Sequence, residues 1–333
     1  MTINIPLSTP YTVSFTRFSA PCRSGENDTA VPPSAIAVTD ANVHALYPHL
    51  FHEKTIVLPA GEQSKSLAAL AEIYEKLVEF EALRNTPLYA VGGGVIGDIT
   101  GFAAATFRRG IPFVNVPTTL LSMVDSSVGG KVAANLPAGK NLIGTFYQPS
   151  AVITDVRFLE TLDKKQISSG MAEAIKHGFI DDKSILEQTD YTEIIAKCVR
   201  SKARFVVEDE FDRGDRMFLN FGHTFGHAIE VYGDFERFTH GGGVALGMIY
   251  ALKVGIKLGI TNPALLPLAE EHLRKNGLET TCDIPTDVMI SHMKGDKKNM
   301  DSDINLVLLE DLGKPISYKI SPSELKELLN CLK

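Results

Sequence analysis

Cysteine is scarce in this chain: 333 residues contain four, Cys22, Cys198, Cys282 and Cys331, with no CxxC spacing among them. That scatter argues against both a thiolate zinc site and a disulfide framework. Long apolar runs are lacking too, since residues 244–252 form the longest and end at Lys253, well short of the ~20 residues of a membrane span. The start, Met1-Thr2-Ile3-Asn4-Ile5-Pro6, has neither the basic residues nor the apolar block of a secretory signal, so a cytoplasmic location is expected. Excess positive charge is missing as well: a net charge of −7 offers no electrostatic footprint for a nucleic-acid backbone. Neither a nucleic-acid nor a membrane partner is expected. No internal repeat is visible, which removes a solenoid from consideration.

What is present is a globular composition, 44% hydrophobic and 22% charged, in a length that suits two domains of ~100–200 residues. Short β-type runs at 36–38, 55–58, 88–91, 113–116 and 151–154 alternate with helical stretches, the pattern of a parallel sheet covered by helices. Leu67, Leu70, Ile73, Leu77 and Phe80 recur at steps of three or four and make one apolar helical face against that sheet. After about Asp155, helical segments take over at roughly 166–178, 183–207, 217–233, 243–259 and 263–275, with a late β-like run at 304–309. The expectation is an α/β N-terminal domain with a parallel, Rossmann-like sheet over 1–160, and a mostly α-helical C-terminal domain over 161–333. Ligands of open α/β folds sit beyond the carboxyl ends of the strands, so function is expected between the halves.

Three groups of residues carry chemistry. The strand ending at Val91 runs into Gly92-Gly93-Gly94-Val95-Ile96-Gly97-Asp98, whose glycines at 92, 94 and 97 have GxGxxG spacing and allow backbone amides to approach a pyrophosphate. The motif opens the third βα unit instead of the first, unlike the usual dinucleotide fingerprint, and a merely tight strand-to-helix turn remains the alternative. A P-loop is excluded because Asn141 follows Gly139-Lys140 and Ala134 stands where its first glycine belongs. Next, His223 and His227 share a helix face four residues apart, and His240 stands beside Gly241, Gly242 and Gly243. Two histidines and a carboxylate are a common catalytic zinc set. Glu173 could be that carboxylate, with His177 a rival ligand that spacing does not exclude. His44, His49, His52, His272 and His292 are assigned to surface or packing. Finally, Arg108-Arg109, Lys131, Lys140, Lys176, Lys202 and Arg216 accompany these segments and suit a substrate carrying phosphate and carboxylate.

Gly61-Glu62-Gln63-Ser64-Lys65, GGGVIGD at 92–98, PTTLLS at 117–122, VDSSVGGK at 124–131, GKNLIGTFYQP at 139–149, GMAEAIKHG at 170–178, LNFGHTFGHAIE at 219–230 and DKKN at 296–299 together resemble the 3-dehydroquinate synthases, members of the sugar-phosphate cyclases. The resemblance covers the chain from about Asp40 to Lys298. It implies a homodimer whose N-terminal domain binds NAD and whose helical C-terminal domain holds zinc or cobalt. Glu173, His223 and His240 are then the metal ligands, which leaves His177 a bystander. The cofactor contacts it implies are Asp40, Asn42, Glu62 and Lys65, then Gly93, Gly94, Val95 and Asp98, and lastly Thr118, Thr119, Phe158 and Thr161. For catalysis and the sugar-acid phosphate substrate it implies Arg109, Asp125, Lys131, Lys140 and Asn141, followed by Lys176, Lys202, Arg216, Asn220, His227 and Lys297.

The implied reaction converts 3-deoxy-arabino-heptulosonate 7-phosphate to 3-dehydroquinate. NAD transiently oxidises a hydroxyl, phosphate leaves and itself accepts a proton, hydride returns, and an intramolecular aldol addition closes the ring. Departures from the family pattern are Gly242 where His-Gly-Glu is usual, Met123 where glutamine is common, and Arg108 before Arg109. Losing the carboxylate at 242 is expected to weaken support of the metal. The competing readings are a related cyclase with a valiolone- or inosose-type product, a two-domain glycerol or alcohol dehydrogenase that consumes NAD(H) stoichiometrically, and a nonenzymatic sugar-phosphate or nucleotide-binding regulator. Lys202, Arg216 and Asn220 favour a carboxylate-bearing substrate over the first.

Overall fold

The computed structural model describes residues 1–18, 30–234, 236–293 and 303–332. The chain divides into two compact units, Met1–Leu162 and Asp163–Lys333, and no helix among the described residues is long and apolar enough to cross a membrane.

The first unit opens with an antiparallel pair, β1 (Thr2–Ile5) and β2 (Tyr11–Phe15). There follow β3 (Ile36–Asp40), α1 (Ala41–Leu46), β4 (Thr55–Leu58), α2 (Leu67–Glu79), β5 (Leu88–Gly92), α3 (Gly94–Thr106) and β6 (Phe113–Pro117). A separate antiparallel pair, β7 (Lys131–Leu136) and β8 (Gly139–Phe146), precedes β9 (Ala151–Thr154). The main sheet runs β1-β2-β9-β6-β5-β3-β4, and every pairing in it beyond β1 and β2 is parallel. The five expected β runs are therefore β3, β4, β5, β6 and β9. On α2, Leu70, Ile73 and Leu77 are buried, each worth roughly 1.5–3 kcal/mol of apolar transfer. Leu67, expected on the same face, is 48% exposed because it occupies the first helical position, just after the Ser66 cap.

The connections diverge where chemistry is expected. β3 leads through α1 to β4 on one side, whereas β5 leads through α3 to β6 on the other. The carboxyl ends of β3 and β5 thus border a topological switch point, the usual ligand crevice of an open parallel sheet. Asp40 ends β3 and Gly92 ends β5.

The second unit contains α4 (Lys164–Ile180), α5 (Tyr191–Glu208), α6 (His223–Tyr232), α7 (His240–Lys257), α8 (Leu265–Lys275) and α9 (Thr286–Met293). An antiparallel pair, β10 (Ile304–Leu309) and β11 (Pro315–Ile320), and α10 (Pro322–Asn330) complete it. Two expected helices prove shorter. The 183–207 segment first forms a 3-10 turn, Lys183–Ile185, and its helix starts only at Tyr191, where Asp190 accepts the N–H groups of Thr192 and Glu193. The 217–233 segment is split at Gly222, whose φ of +82° takes it out of helical geometry. Conversely, the segment expected from 243 begins at His240 because Thr239 caps it, its Oγ1 accepting the N–H of Gly242 at 3.1 Å.

Glycines bring the helices of this unit into backbone contact. A Cβ on Gly247 of α7 would lie 1.9 Å from the carbonyl oxygen of Gly222, and one on Gly226 of α6 would lie 2.9 Å from that of Gly243. A Cβ on Gly241 would stand 2.0 Å from the carbonyl oxygen of Ser169 on α4. Only residues without side chains allow α6, α7 and α4 to meet this closely.

Candidate functional site

In the first unit the expected cofactor residues gather at the carboxyl ends of the strands. The Asp40 carboxylate accepts from the N–H groups of Asn42 and Val43 at 2.9 and 3.0 Å, capping α1. α3 starts at Gly94 with Gly93 as its N-cap and no side-chain cap, which leaves its first N–H groups to an incoming anion. A Cβ on Gly93 would meet Thr119 at 3.0 Å and one on Gly94 would meet Ser126 at 3.1 Å. Thr118, 4% exposed, donates its N–H to the Gly92 carbonyl. Glu62, Asn135, Asn141, Lys65 and Asp98 form one network. Asn135 Nδ2 donates to Glu62 at 2.8 Å, the Asn141 N–H donates to Asn135 at 2.9 Å, and Lys65 Nζ donates to Asn141 Oδ1 at 2.5 Å and to Asp98. Residues expected for cofactor and for substrate are therefore tied together through Lys65. Phe158 and Thr161 are held by Tyr47, which the sequence reading passed over. Its hydroxyl is 2.8 Å from Thr161 Oγ1 and its ring stands edge-on to Phe158 at 5.0 Å.

The expected substrate residues of this unit lie on irregular backbone. Arg109 and Asn141 have φ of +66° and +56°, a region most side chains avoid and functional sites often use. Arg108 also has positive φ, but its Nε donates to the Ala82 carbonyl at 2.8 Å. Asp125 sits in a π-helical turn, Ser122–Ser126, while Lys131 and Lys140 are exposed on β7 and β8.

In the second unit the glycine contacts place α4, α6 and α7 so that Glu173, His223 and His240 converge. Their ligating atoms all lie within 4.8 Å of one another. Glu173 Oε1 stands 3.4 Å from His223 Nε2 and 3.3 Å from His240 Nε2. A tetrahedral cation with bonds of about 2.0–2.1 Å sets its ligand atoms roughly 3.3 Å apart, so the spacing fits an ion. The carboxylate is 1% exposed, and neither oxygen finds a well-directed hydrogen bond among the described residues. Lys176 Nζ accompanies it as an ion partner at 2.5 Å. Burial alone would raise the pKa of Glu173, but Lys176, His223 and His240 hold it well below the usual carboxylate range. Burial would lower His240, yet the carboxylates of Glu173 and Glu230 on either side of its ring push it up to about 10. The cluster favours positive charge.

His227 belongs to a neighbouring group with Glu230 and His240, again with ligating atoms within 4.8 Å of one another. The residue is exposed, but burial of its ring against the surrounding protein, then the imidazole of His223, pushes it down to about 4. His177 does not join either group: it is fully buried and pairs through Nδ1 with Ser201 Oγ at 3.0 Å. Lys202 and Arg216 are 7% and 2% exposed, whereas Asn220 is exposed. Asp209 arranges the loop before Arg216, its carboxylate accepting the N–H groups of Arg213, Gly214 and Arg216 at 2.9, 2.6 and 3.3 Å. Lys297 lies outside the described residues. Glu230 carries no expected role in the sequence, although its place three residues after His227 puts both on one helix face.

Comparison with known proteins gives a consistent picture. Residues 55–169 match the family model for the 3-dehydroquinate synthase N-terminal region, and residues 170–299 match that for the C-terminal region. A 3-dehydroquinate synthase of Clostridium kluyveri is 41% identical over 89% of this chain and 88% of its own length. One from Listeria monocytogenes is 44% identical over 79% of this chain and 76% of its own. Among solved structures, 2-deoxy-scyllo-inosose synthase complexed with carbaglucose-6-phosphate, NAD+ and Co2+ superposes with a TM-score of 0.84 at 26% identity, covering 99% of both chains.

Proposed function

The chain belongs to the 3-dehydroquinate synthase family, and from that premise we propose that it converts 3-deoxy-arabino-heptulosonate 7-phosphate to 3-dehydroquinate and phosphate. It acts as a carbon–oxygen lyase using NAD and zinc or cobalt, as a cytoplasmic homodimer. The observation that carries this reading is the buried Glu173 carboxylate, short of hydrogen bonds and at cation-binding distances from two imidazoles.

Glu173, His223 and His240 would hold the metal. The uncapped start of α3 with Gly93, Gly94 and Val95 would hold the pyrophosphate of NAD, and Asp40, Asn42, Glu62, Lys65, Asp98, Thr118, Thr119, Phe158 and Thr161 the rest of it. When bound, the dinucleotide supplies a reversible hydride acceptor and the cation a Lewis acid for adjacent hydroxyls. The residues of the chain supply everything else. Lys176 keeps Glu173 ionised by pairing with it at 2.5 Å. Lys202 and Arg216, both buried, with Asn220, provide charge-assisted and neutral donors for the substrate carboxylate. Arg109, Lys131, Lys140 and Asn141 provide donors for its phosphate, and Asp125 an acceptor for a hydroxyl. His227, pushed down to about 4, is neutral at pH 7 and accepts a hydrogen bond at a ring nitrogen. For the final aldol closure the protein need only hold the opened chain in a near-attack geometry.

The fold similarity to an inosose synthase makes a hexose 6-phosphate without a carboxylate the informative comparison substrate. The test supplies each substrate with zinc and NAD at a small fraction of the enzyme-catalysed product, following phosphate release. Many turnovers per NAD with the heptulosonate phosphate, and none with the hexose phosphate, are expected. Turnover of the hexose phosphate alone would transfer the chain to the other cyclases, and stoichiometric NADH formation would make it a dehydrogenase.

A further inference from the structure

The third metal-site histidine offers both ring nitrogens to carboxylates. His240 Nε2 faces Glu173 at 3.3 Å, while Nδ1 stands 3.4 Å from each oxygen of Glu230. An imidazole that donates Nδ1–H to a carboxylate has its Nε2 lone pair turned the other way, fixed for a cation. Glu230 is 6% exposed and lies on α6, the helix that also carries His223.

The glycines of Thr239-His240-Gly241-Gly242-Gly243 divide the labour. A Cβ on Gly243 would come within 2.9 Å of Glu230 Cγ, so this glycine makes the space in which the glutamate reaches His240. Gly241 is required by the contact with Ser169 already described. At Gly242, by contrast, a Cβ would meet only Thr239 Oγ1, at 3.2 Å. Position 242 is the third residue of α7 after the Thr239 cap, where a glutamate reaches back to the cap N–H to complete a capping box. The glutamate usual at this position in the family therefore fits a helix cap. Its loss here does not deprive His240 of a carboxylate.

We propose that Glu230 is the positioning residue of His240, holding its Nδ1–H so that Nε2 is presented to the metal, and that position 242 serves the helix N-terminus instead of the metal. The inference rests on the metal reading above. Glu173 and Glu230 then act on opposite ends of one ring, the first as ligand and the second as its orienting acceptor.

The experiment strips the full-length protein of metal and reloads it with Zn2+ against a chromophoric chelator, and with Co2+ followed by its visible absorption. Wild type is expected to take one ion per chain and Glu173→Gln to lose it. Glu230→Gln should weaken Zn2+ by about 10–100-fold and alter the Co2+ spectrum, with Glu230→Asp recovering part of the loss. Gly242→Glu should leave Zn2+ affinity within about threefold and raise the apo melting temperature by about 2–4 °C. Unchanged Zn2+ affinity in a folded Glu230→Gln protein would overturn the proposal, as would recovery of affinity in Glu230→Gln on adding Gly242→Glu. Two ions per wild-type chain, one of them lost in Glu230→Gln, would make Glu230 a direct ligand and overturn it as well. A wild-type chain that takes up no ion removes the metal reading, and this one with it.

Discussion

Replacing Gly247 by alanine tests whether backbone contact between α6 and α7 sets the geometry of the metal cluster. The added methyl would sit 1.9 Å from the Gly222 carbonyl oxygen, where ordinary contact begins at 3.4 Å. The two helices must therefore part locally by about 1.5 Å, a strain that overpacked cores meet at a cost of about 1–3 kcal/mol. His223 stands next to Gly222 at the head of α6, and His240 heads α7. Bonds to a divalent ion tolerate only about 0.2 Å, so a separation several times larger should remove one imidazole from reach. Zn2+ affinity by chelator competition is expected to fall at least ~100-fold, with a urea midpoint lowered in proportion to the strain. Gly242→Ala is the control, because its methyl would meet only the Thr239 side-chain oxygen, at 3.2 Å, a few tenths of an ångström inside ordinary contact. It should bind Zn2+ as wild type does and gain up to about 1 kcal/mol from helix propensity. A Gly247→Ala protein that binds Zn2+ within threefold of wild type would refute the reasoning, and so would equal damage from both substitutions.

Asp209 invites a second test. Burial would raise its pKa, but three N–H donors and Arg216 hold its carboxyl below the ordinary value of 3.8. A depressed folded pKa stabilises above the unfolded value and loses that contribution as pH falls through the folded one, so this carboxyl should keep the Arg216 loop ordered throughout pH 5–8. Asp209→Asn is expected to raise the KM for the sugar-acid phosphate about tenfold at pH 7 without changing Zn2+ affinity; an unaltered KM would mean that the loop does not position Arg216 for substrate. Lys65→Met should weaken NAD+ binding, read by titration calorimetry, by at least ~10-fold, since the ammonium joins Asp98 to Asn141. Wild-type NAD+ affinity in that variant would detach Lys65 from the dinucleotide site.

Regular elements and motif residues were legible in the sequence where physics is local. Five of the six parallel strands announce themselves as short apolar runs, β2 being the exception, and the face of α2 by its period. Helix ends were harder to read because they depend on single caps, as at Asp190 and Thr239, or on one left-handed residue, as at Gly222. The hairpin of β7 and β8 escaped notice because β8 is mostly exposed and glycine-rich, without the alternation of a half-buried strand. At the site, helical spacing joined His223 to His227, but the choice of Glu173 and His240 depends on how three helices meet. That meeting is written in glycines, whose function is visible only once the opposing backbone is known. Glu230 illustrates the same limit, since its acceptor role requires knowing that α7 passes beside α6.

The order of strands in the first unit also bears on how the chain is made. β9 is formed last of the sheet's strands yet lies inside it, Thr12 pairing with Ala151 on one flank and Val114 with Ala151 on the other. Until synthesis passes residue 154, the nascent sheet is in two pieces, a short N-terminal hairpin and a four-stranded block, each presenting an open edge where β9 will dock. Such non-local closure is slow, and unpaired edges recruit other chains. Truncations that stop short of β9 would thus produce sticky fragments even though all preceding strands are intact.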